Sequence, residues 1–385
     1  MSGPPPDWDR APRNRWSFQH VAEILPTVAV SRGDGPIRVL LRDEQPLDGL
    51  AVTGLDGAAT SLGGFLQQSF TDGMLVLHRG GVAYERYFGS PGEGAMSPST
   101  LHLSQSLAKS FTGMLAGILA GRGVINPEAL VTDIVPELAA TAYRGARLRH
   151  LLDMTSGVRF NEDYTDPRSH MGQLDVASGW KPVPAGSDPA DWPHSVFELI
   201  LSLNQADAPH GHRFAYRSIE TDVLAFVLER ATGKRLARLL SEELWQPLGM
   251  EQGASMTVDS AGFALADGGL NACLRDYGRF GQMILDSGAG IVPMDWIEAT
   301  RSGDHSLFGA PYNAVLPAGA YRNQFWIENP RSRTLMARGV FGQLIYISWE
   351  FDMVVVKLSS WPDFVNPAWT VATLDAVRCI GAALN

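Results

Sequence analysis

The sequence predicts an α+β fold in which an antiparallel sheet is flanked by helices and a mainly helical segment is inserted between the strands. Alternating apolar runs typical of strands occur towards both ends of the chain, and patterns typical of helices fill the middle. The 385 residues, 45% of them hydrophobic, are too many for one compact layered unit. We therefore expect residues 1–105 and 265–385 to form a sheet subdomain and residues 106–264 a mainly helical one, with a site at their interface.

The sheet is predicted to begin with a hairpin. Residues 74–78 and 82–87 are strand-like runs joined by a short turn that contains two glycines. A short helix is expected before them at residues 62–68. Residues 1–15 are rich in proline and charge and lack the apolar segment of a signal peptide, so we expect a mobile arm there.

Helical patterns occupy the centre of the chain. Residues 106–121 are apolar almost all round, which is typical of a helix buried at the centre of a molecule. Further helices are expected at residues 148–154, 195–203 and 221–248. Residues 155–194 contain many prolines and are expected to be rich in loops.

Strand patterns return near the end of the chain. Residues 343–349 and 353–359 are predicted to form a second hairpin, and residues 368–384 a closing amphipathic helix. The simplest architecture is one antiparallel sheet built from both ends of the chain, with helices on its faces.

Composition excludes several classes of function. The formal charge is −10 and there are no basic runs, so binding to nucleic acid is not expected. Cys273 and Cys379 are too few for a disulfide framework or a cysteine-based zinc cluster. No apolar run is long enough for a membrane span. We expect a cytoplasmic protein that acts on a small molecule, with no cofactor and no metal.

Ser106 and Lys109 form a Ser-x-x-Lys pattern at the start of the apolar helix. Residues three apart share a helix face, so the amine can lie beside the hydroxyl. A serine becomes a good nucleophile when a nearby base takes its proton. Lysine can be that base if its pKa falls, and we expect burial to lower the pKa of Lys109.

The pattern alone is weak, because a second copy occurs at Ser178 and Lys181, where no helix is expected. The chain uses lysine at only four positions, and an arginine could not serve as the base. The alternative is that Ser106 caps the helix while Lys109 extends to the surface. These residues alone leave both interpretations open.

Three further segments resemble one superfamily. Residues 150–157 (HLLDMTSG) are similar to the "HLL-x-M-TSG" segment of the serine β-lactamase-like, penicillin-binding-protein superfamily. Residues 245–250 are similar to its "PLGM" helix end, and residues 214–218 to its Tyr-x-Asn or Tyr-x-Ser box. Their order resembles the branch of class C β-lactamases, DD-peptidases and esterases over residues 70–360.

Within this branch the chain looks most like the nylon-oligomer hydrolases, the 6-aminohexanoate-dimer hydrolases. The similarity lies in residues 14–18, 161–167, 178–180, 221–225 and 355–362. It implies a cytosolic amidase and esterase that acts on short linear substrates, and a homodimer is compatible with it.

The resemblance implies roles for individual residues. Ser106 would be the nucleophile that accepts the acyl group, Lys109 the general base, and Tyr216 the relay of the proton to the leaving group. The oxyanion would lie between the backbone N–H groups of Ser106 and Val340. Ala337 stands where the superfamily commonly has a lysine or histidine, which argues against β-lactam turnover.

Five positions match the substrate pocket of the nylon-oligomer enzymes. Tyr164 matches a tyrosine on a mobile loop, and Asp175 matches the carboxylate that pairs with the substrate's ammonium. Trp180 and Asp267 match further pocket positions, and Phe341 stands where those enzymes have a histidine. Three alternatives stay open: an acyltransferase, a carboxylesterase without amidase activity, and a sensor of β-lactam fold without turnover.

Overall fold

The computed structural model describes residues 4–90 and 94–385. Its helices are α1 (Asn14–Ser17), α2 (Val21–Ile24), α3 (Leu62–Gln68), α4 (Leu107–Gly121), α5 (Val131–Ile134), α6 (Leu148–Leu152), α7 (His170–Ala177), α8 (Val196–Ser202), α9 (Ile219–Thr232), α10 (Leu236–Leu240), α11 (Leu274–Leu285), α12 (Met294–Arg301) and α13 (Pro367–Leu384). Its strands are β1 (Thr27–Val30), β2 (Ala51–Thr53), β3 (Ala59–Ser61), β4 (Thr71–His78), β5 (Gly81–Tyr87), β6 (Gly89–Ser90), β7 (Gly94–Ala95), β8 (Leu101–Leu103), β9 (Ala254–Thr257), β10 (Leu270–Cys273), β11 (Ala320–Arg322), β12 (Phe325–Ile327), β13 (Thr334–Gly339), β14 (Gln343–Ser348) and β15 (Met353–Ser359).

The larger sheet contains both predicted hairpins. In the described residues it has seven antiparallel strands in the order β11-β12-β13-β14-β15-β4-β5. The last hairpin, β14–β15, pairs through β15 with β4, so strands from the two ends of the chain are neighbours within this sheet. This arrangement confirms the predicted α+β class and both hairpins.

Helices cover both faces of this sheet. Leu75 and Val356 point to the core on one side, where α4 and α11 pack, whereas Val76 and Val355 point to the side covered by α3 and α13. Residues on a strand alternate between faces, and here both faces are apolar because both are covered by helices. The larger core runs from this sheet into the helical segment and surrounds α4.

The expectation of one sheet is wrong. Among the described residues a second antiparallel sheet has the order β1-β9-β10-β8. Its strands are three or four residues long. Such short strands are too brief to display an alternating pattern. Strand β9 even lies within residues 106–264, which the sequence predicted to be mainly helical.

The prediction of a mobile arm at residues 1–15 is also wrong for residues 4–15. Residues 1–3 lie outside the described residues. Trp8 is fully buried. Its ring meets Phe18 and Trp180 edge to face, and its Nε1 donates to the Trp180 carbonyl at 2.7 Å. One large aromatic side chain anchors a segment whose average composition suggested disorder.

Two helix predictions need correction. The expected helix at 221–248 ends at Thr232, because Gly233 adopts a left-handed conformation (φ +68°) that caps α9. The loop-rich segment 155–194 contains α7.

In the described chain, every helix is too short or too polar to cross a bilayer.

Candidate active site

Two cavities meet at Ser106. The larger one has a volume of about 380 Å³ and the smaller one about 20 Å³. Ser106, Tyr164 and Val340 line both. A reactive group at Ser106 can therefore contact one molecule that extends into both cavities.

The turn between β8 and α4 presents Ser106. Gln105 has a left-handed backbone (φ +48°), which is uncommon for a residue other than glycine, and Ser106 follows as the residue before the first helical turn. Its side chain caps no backbone N–H of α4 and stays partly exposed. The sequence-based alternative, a capping serine, is therefore wrong.

Lys109 lies beside Ser106. Its Nζ is 2.9 Å from Ser106 Oγ and donates to the Asp267 carbonyl oxygen at 2.7 Å. The Asp267 carboxylate, through Oδ2, is 3.6 Å from the same nitrogen. The side chain of Lys109 is only 2% exposed, so the surface-directed lysine of the alternative interpretation is also wrong.

The expected lowering of the Lys109 pKa is not found. Burial alone would lower the pKa of Lys109, but the negative charges that Tyr216, Asp267, Glu162 and Asp222 can carry outweigh it and raise the pKa. The sequence could not reveal this, because these groups are far from Lys109 along the chain. The charged, ammonium form of Lys109 is therefore favoured in the absence of substrate.

Tyr216 completes the cluster. Its ring stacks on Trp326 with centroids 5.2 Å apart, and Lys109 Nζ lies 5.2 Å from its centroid. Its backbone N–H donates to the Tyr312 hydroxyl at 2.9 Å. Burial raises the pKa of Tyr216, against the opposing effect of the Lys109 charge, so its hydroxyl keeps its proton at neutral pH.

Strand β13 approaches the nucleophile turn closely at Gly339. A Cβ there would lie 2.9 Å from the Ser104 carbonyl oxygen and 3.0 Å from the Ser106 backbone nitrogen. Only glycine allows this approach, which carries Val340 to the edge of both cavities.

The smaller cavity contains three predicted pocket residues, Asp175, Trp180 and Asp267. Trp180 Nε1 donates to Thr257 Oγ1 at 3.1 Å, which fixes the indole. Burial, followed by the charge of nearby Asp9, raises the pKa of Asp175 to about 8. A bound ammonium group would stabilise its ionised form.

The other two predicted pocket residues, Tyr164 and Phe341, differ in whether they line the cavities. Tyr164 lines both cavities, and its hydroxyl donates to Glu162 Oε1 at 2.9 Å. Phe341 is 1% exposed, packs against Phe18 and Phe364, and lines neither cavity. The geometry therefore contradicts substrate contact by the Phe341 ring, because the left-handed backbone at this residue (φ +60°) directs it into the core.

The second Ser-x-x-Lys copy does not form a pair. Lys181 Nζ bonds to the Pro6 carbonyl oxygen at 2.9 Å and pairs with Asp9, whereas Ser178 Oγ donates to the Asp175 carbonyl oxygen. Ser178 stands at the end of α7, so the helix face that would join the two side chains is missing.

Sequence reasoning missed two carboxyl groups of the site. Glu162 accepts from the Ser218 backbone N–H at 2.9 Å and from its hydroxyl. Asp222, on α9, accepts from the backbone N–H groups of Ala266 and Asp267 at 2.9 and 3.2 Å, and so holds the loop that contacts Lys109. Burial raises the pKa of both carboxyl groups. Both lie in segments that carried the resemblance, but no spacing rule connects them to Lys109.

Comparison with known proteins identifies the family of this chain. The family model described as Beta-lactamase matches residues 64–377, which is most of the chain. The chain belongs to the beta-lactamase family. The segments that resembled this superfamily in the sequence are thus confirmed as a family relationship.

Two relatives of this beta-lactamase family member align over almost their whole length. A 6-aminohexanoate-dimer hydrolase from Paenarthrobacter ureafaciens is 36% identical over 390 aligned residues, covering 97% of this chain and 93% of that protein. A solved structure from Bacillus anthracis, provisionally named a 6-aminohexanoate-dimer hydrolase, has a TM-score of 0.87 at 31% identity and covers 98% and 96% of the two chains.

A more distant structure shares the fold alone. EstCE1, a hydrolase with promiscuous acyltransferase activity, has a TM-score of 0.64 at 16% identity, covering 81% of this chain and 95% of its own. The beta-lactamase fold therefore accounts for the sheet and helices around the site, whereas the closer relatives match the chain throughout.

Proposed function

We propose that this protein is a serine hydrolase that cleaves amide and ester bonds of short linear substrates through an acyl-enzyme on Ser106. The observation that carries the proposal is the 2.9 Å contact between Lys109 Nζ and Ser106 Oγ at the junction of two cavities. Nucleophile and base are thus within hydrogen-bond reach and open to a substrate.

Acylation begins when Ser106 Oγ attacks the substrate's carbonyl carbon and its proton passes to Lys109. The carbonyl oxygen becomes an oxyanion, which the backbone N–H groups of Ser106 and Val340 stabilise. Donors fixed in such a position contribute about 3 kcal/mol each to the transition state. The close approach of Gly339 to the Ser106 backbone supports this arrangement.

Lys109 must lose its resting proton before it can accept one from Ser106. A bound substrate excludes water from the site around Ser106, and a cationic end near Asp267 offsets the negative charge that helps to raise the pKa of Lys109. Both effects lower the pKa of Lys109. Substrate binding therefore favours the neutral amine that the reaction requires.

Tyr216 transfers the proton to the leaving group. The bond from the carbonyl carbon to the leaving nitrogen or oxygen breaks, that atom takes the Tyr216 proton, and Tyr216 is reprotonated from Lys109. Water then attacks the acyl-enzyme ester, its proton returns through Lys109 to Ser106 Oγ, and the acid is released. Tyr216 lines the larger cavity, which supports our placement of the leaving group there.

We place the acyl portion on the side of the smaller cavity, where Asp175 accepts a terminal ammonium group; this cavity, of about 20 Å³, must widen as the chain enters. This assignment agrees with the near full-length relative named a 6-aminohexanoate-dimer hydrolase. We therefore infer that linear ω-amino acyl amides and esters are the preferred substrate class.

The test is turnover of a short p-nitrophenyl ester and of the linear 6-aminohexanoate dimer. Ser106→Ala should abolish both reactions, while Ser99→Ala, an exposed serine, should not change them. Lys109→Ala should lower both rates, and Lys181→Ala, from the second copy of the pattern, should leave chemistry at Ser106 intact. Unchanged turnover in Ser106→Ala would exclude the proposal.

The predicted division into a sheet part and a helical part fits a site whose groups come from both. Ser106 directly precedes α4, Lys109 lies in its first turn, and Val340 follows β13. The cytoplasmic location stays a prediction from composition and from the resemblance, and the homodimer stays a prediction from the resemblance.

A further inference from the structure

Arg338 provides the one cationic side chain among the described residues that line the larger cavity. It is the penultimate residue of β13, and Ala337 before it is fully buried on the opposite face. The guanidinium carbon Cζ lies 5.1 Å from the centroid of Trp326, a distance typical of contact with an aromatic face. Arg338 thus points into the cavity that Tyr216 also lines.

The guanidinium group has no anionic partner within the described part of the chain. Other deeply placed arginines do: Arg279 Nη1 bonds to Asp276 Oδ1 at 2.8 Å, and Arg217 Nη1 lies 3.6 Å from Glu220 Oε1. Burial lowers the pKa of Arg338 to about 10, which still leaves it charged at neutral pH. An unpaired charge in an apolar cavity is costly until a counter-ion binds.

The cavity itself does not supply that counter-ion. Glu162 is the one carboxylate among its described lining residues, and its oxygens already accept from Ser218 and Tyr164. The remaining wall is mostly aromatic and aliphatic. The N–H donors of Arg338 are therefore available to a ligand, and their planar fork matches the two oxygens of a carboxylate.

The two cavities differ in their ionisable groups. Asp175 and Asp267 line the smaller one, whereas Arg338 lines the larger one with Tyr216. We propose that Arg338 is a specificity-determining residue that binds a carboxylate on the leaving-group portion of the substrate. The inference rests on the proposed function, in which Tyr216 protonates the leaving group in this cavity. A substrate with an ammonium at its acyl end and a carboxylate at its leaving end would satisfy both cavities.

The kinetic test compares two substrates that differ only in that charge: 6-aminohexanoyl-6-aminohexanoate and its terminal carboxamide. Arg338→Gln should raise KM for the carboxylate substrate about 10- to 100-fold, the usual loss for a bond to a charged group. It should change kcat/KM for the carboxamide less than about threefold, and Arg338→Lys should recover part of the loss. Arg213→Gln, an exposed arginine, is the matched control and should change neither.

Equal losses for both substrates would overturn the proposal, because they would indicate a general effect on Tyr216 or on folding. Unchanged KM values would overturn it too.

Calorimetric titration with hexanoate and hexanamide separates this inference from the proposed function, because it needs no turnover. Hexanoate should bind the wild-type protein more tightly than hexanamide, and Arg338→Gln should remove the difference. If neither dimer substrate is hydrolysed but this difference is found, the carboxylate site stands and the proposed reaction fails. Equal binding of hexanoate to wild type and Arg338→Gln would overturn the carboxylate site.

Discussion

Asp267→Asn should move the rising limb of the pH–activity profile to lower pH. The Asp267 carboxylate is 3.6 Å from Lys109 Nζ and is one of the groups that raise the pKa of Lys109. Asparagine keeps the backbone carbonyl that accepts from Nζ but removes the charge. The neutral amine then forms at lower pH, and kcat/KM for an uncharged ester should begin to rise earlier.

The size of the shift follows from the distance. Two unit charges about 4 Å apart interact by about 4 kcal/mol at an effective dielectric constant of about 20, and each pKa unit corresponds to about 1.4 kcal/mol. The upper limit is therefore about three units. Asp222 compensates in part, because the charge of Asp267 helps to raise the Asp222 pKa, and its removal lets Asp222 ionise more readily. We expect a net shift of about one to two pH units.

The assay is kcat/KM for a short-chain p-nitrophenyl ester between pH 5 and 10, because this ratio reports the pKa values of the free enzyme. Asp34→Asn, an exposed aspartate, is the matched control and should leave the profile in place. A rising limb in Asp267→Asn that stays in place or moves to higher pH would refute the reasoning.

Three further predictions concern the pocket and its supports. Asp175→Asn should raise the thermal midpoint of unfolding at pH 8 but not at pH 4. Because the pKa of Asp175 is about 8 in the folded state, the stability of the wild-type protein falls as pH rises between about 4 and 8. Thermal scans at both pH values test this. Gly339→Ala should lower kcat for the ester about 10- to 100-fold, since the added Cβ displaces the strand beside the Ser106 nitrogen; an unchanged kcat would contradict this role. Trp8→Ala should lower the free energy of unfolding in urea by about 3–5 kcal/mol, whereas a loss below about 1 kcal/mol would indicate a loosely held arm.

The sequence predicted the features of the fold that have long, regular patterns. The two hairpins of the larger sheet and the buried helix after Ser106 have enough apolar residues to show their period. The four-stranded sheet has strands of three or four residues, so its partners are defined by tertiary contacts. The packing of the N-terminal arm was not predicted, because it depends on a single residue, Trp8.

Only part of the candidate site could be predicted from the sequence. Ser106 and Lys109 share a helix turn, so their proximity is local, and the resemblance supplied Tyr216. The raised pKa of Lys109 depends on Tyr216 and Asp267 and, to a smaller extent, on Glu162 and Asp222, all of which approach Lys109 only through the fold. The direction of Phe341 follows from its left-handed backbone, which no side-chain pattern predicts.

The most direct test of the central claim is the mass of the intact protein after reaction with a p-nitrophenyl alkylphosphonate, followed by peptide mapping. The account predicts a single adduct on Ser106, slower labelling in Lys109→Ala and no labelling in Ser106→Ala. An adduct on another residue, or an unlabelled Ser106 in a preparation that hydrolyses the ester, would contradict it.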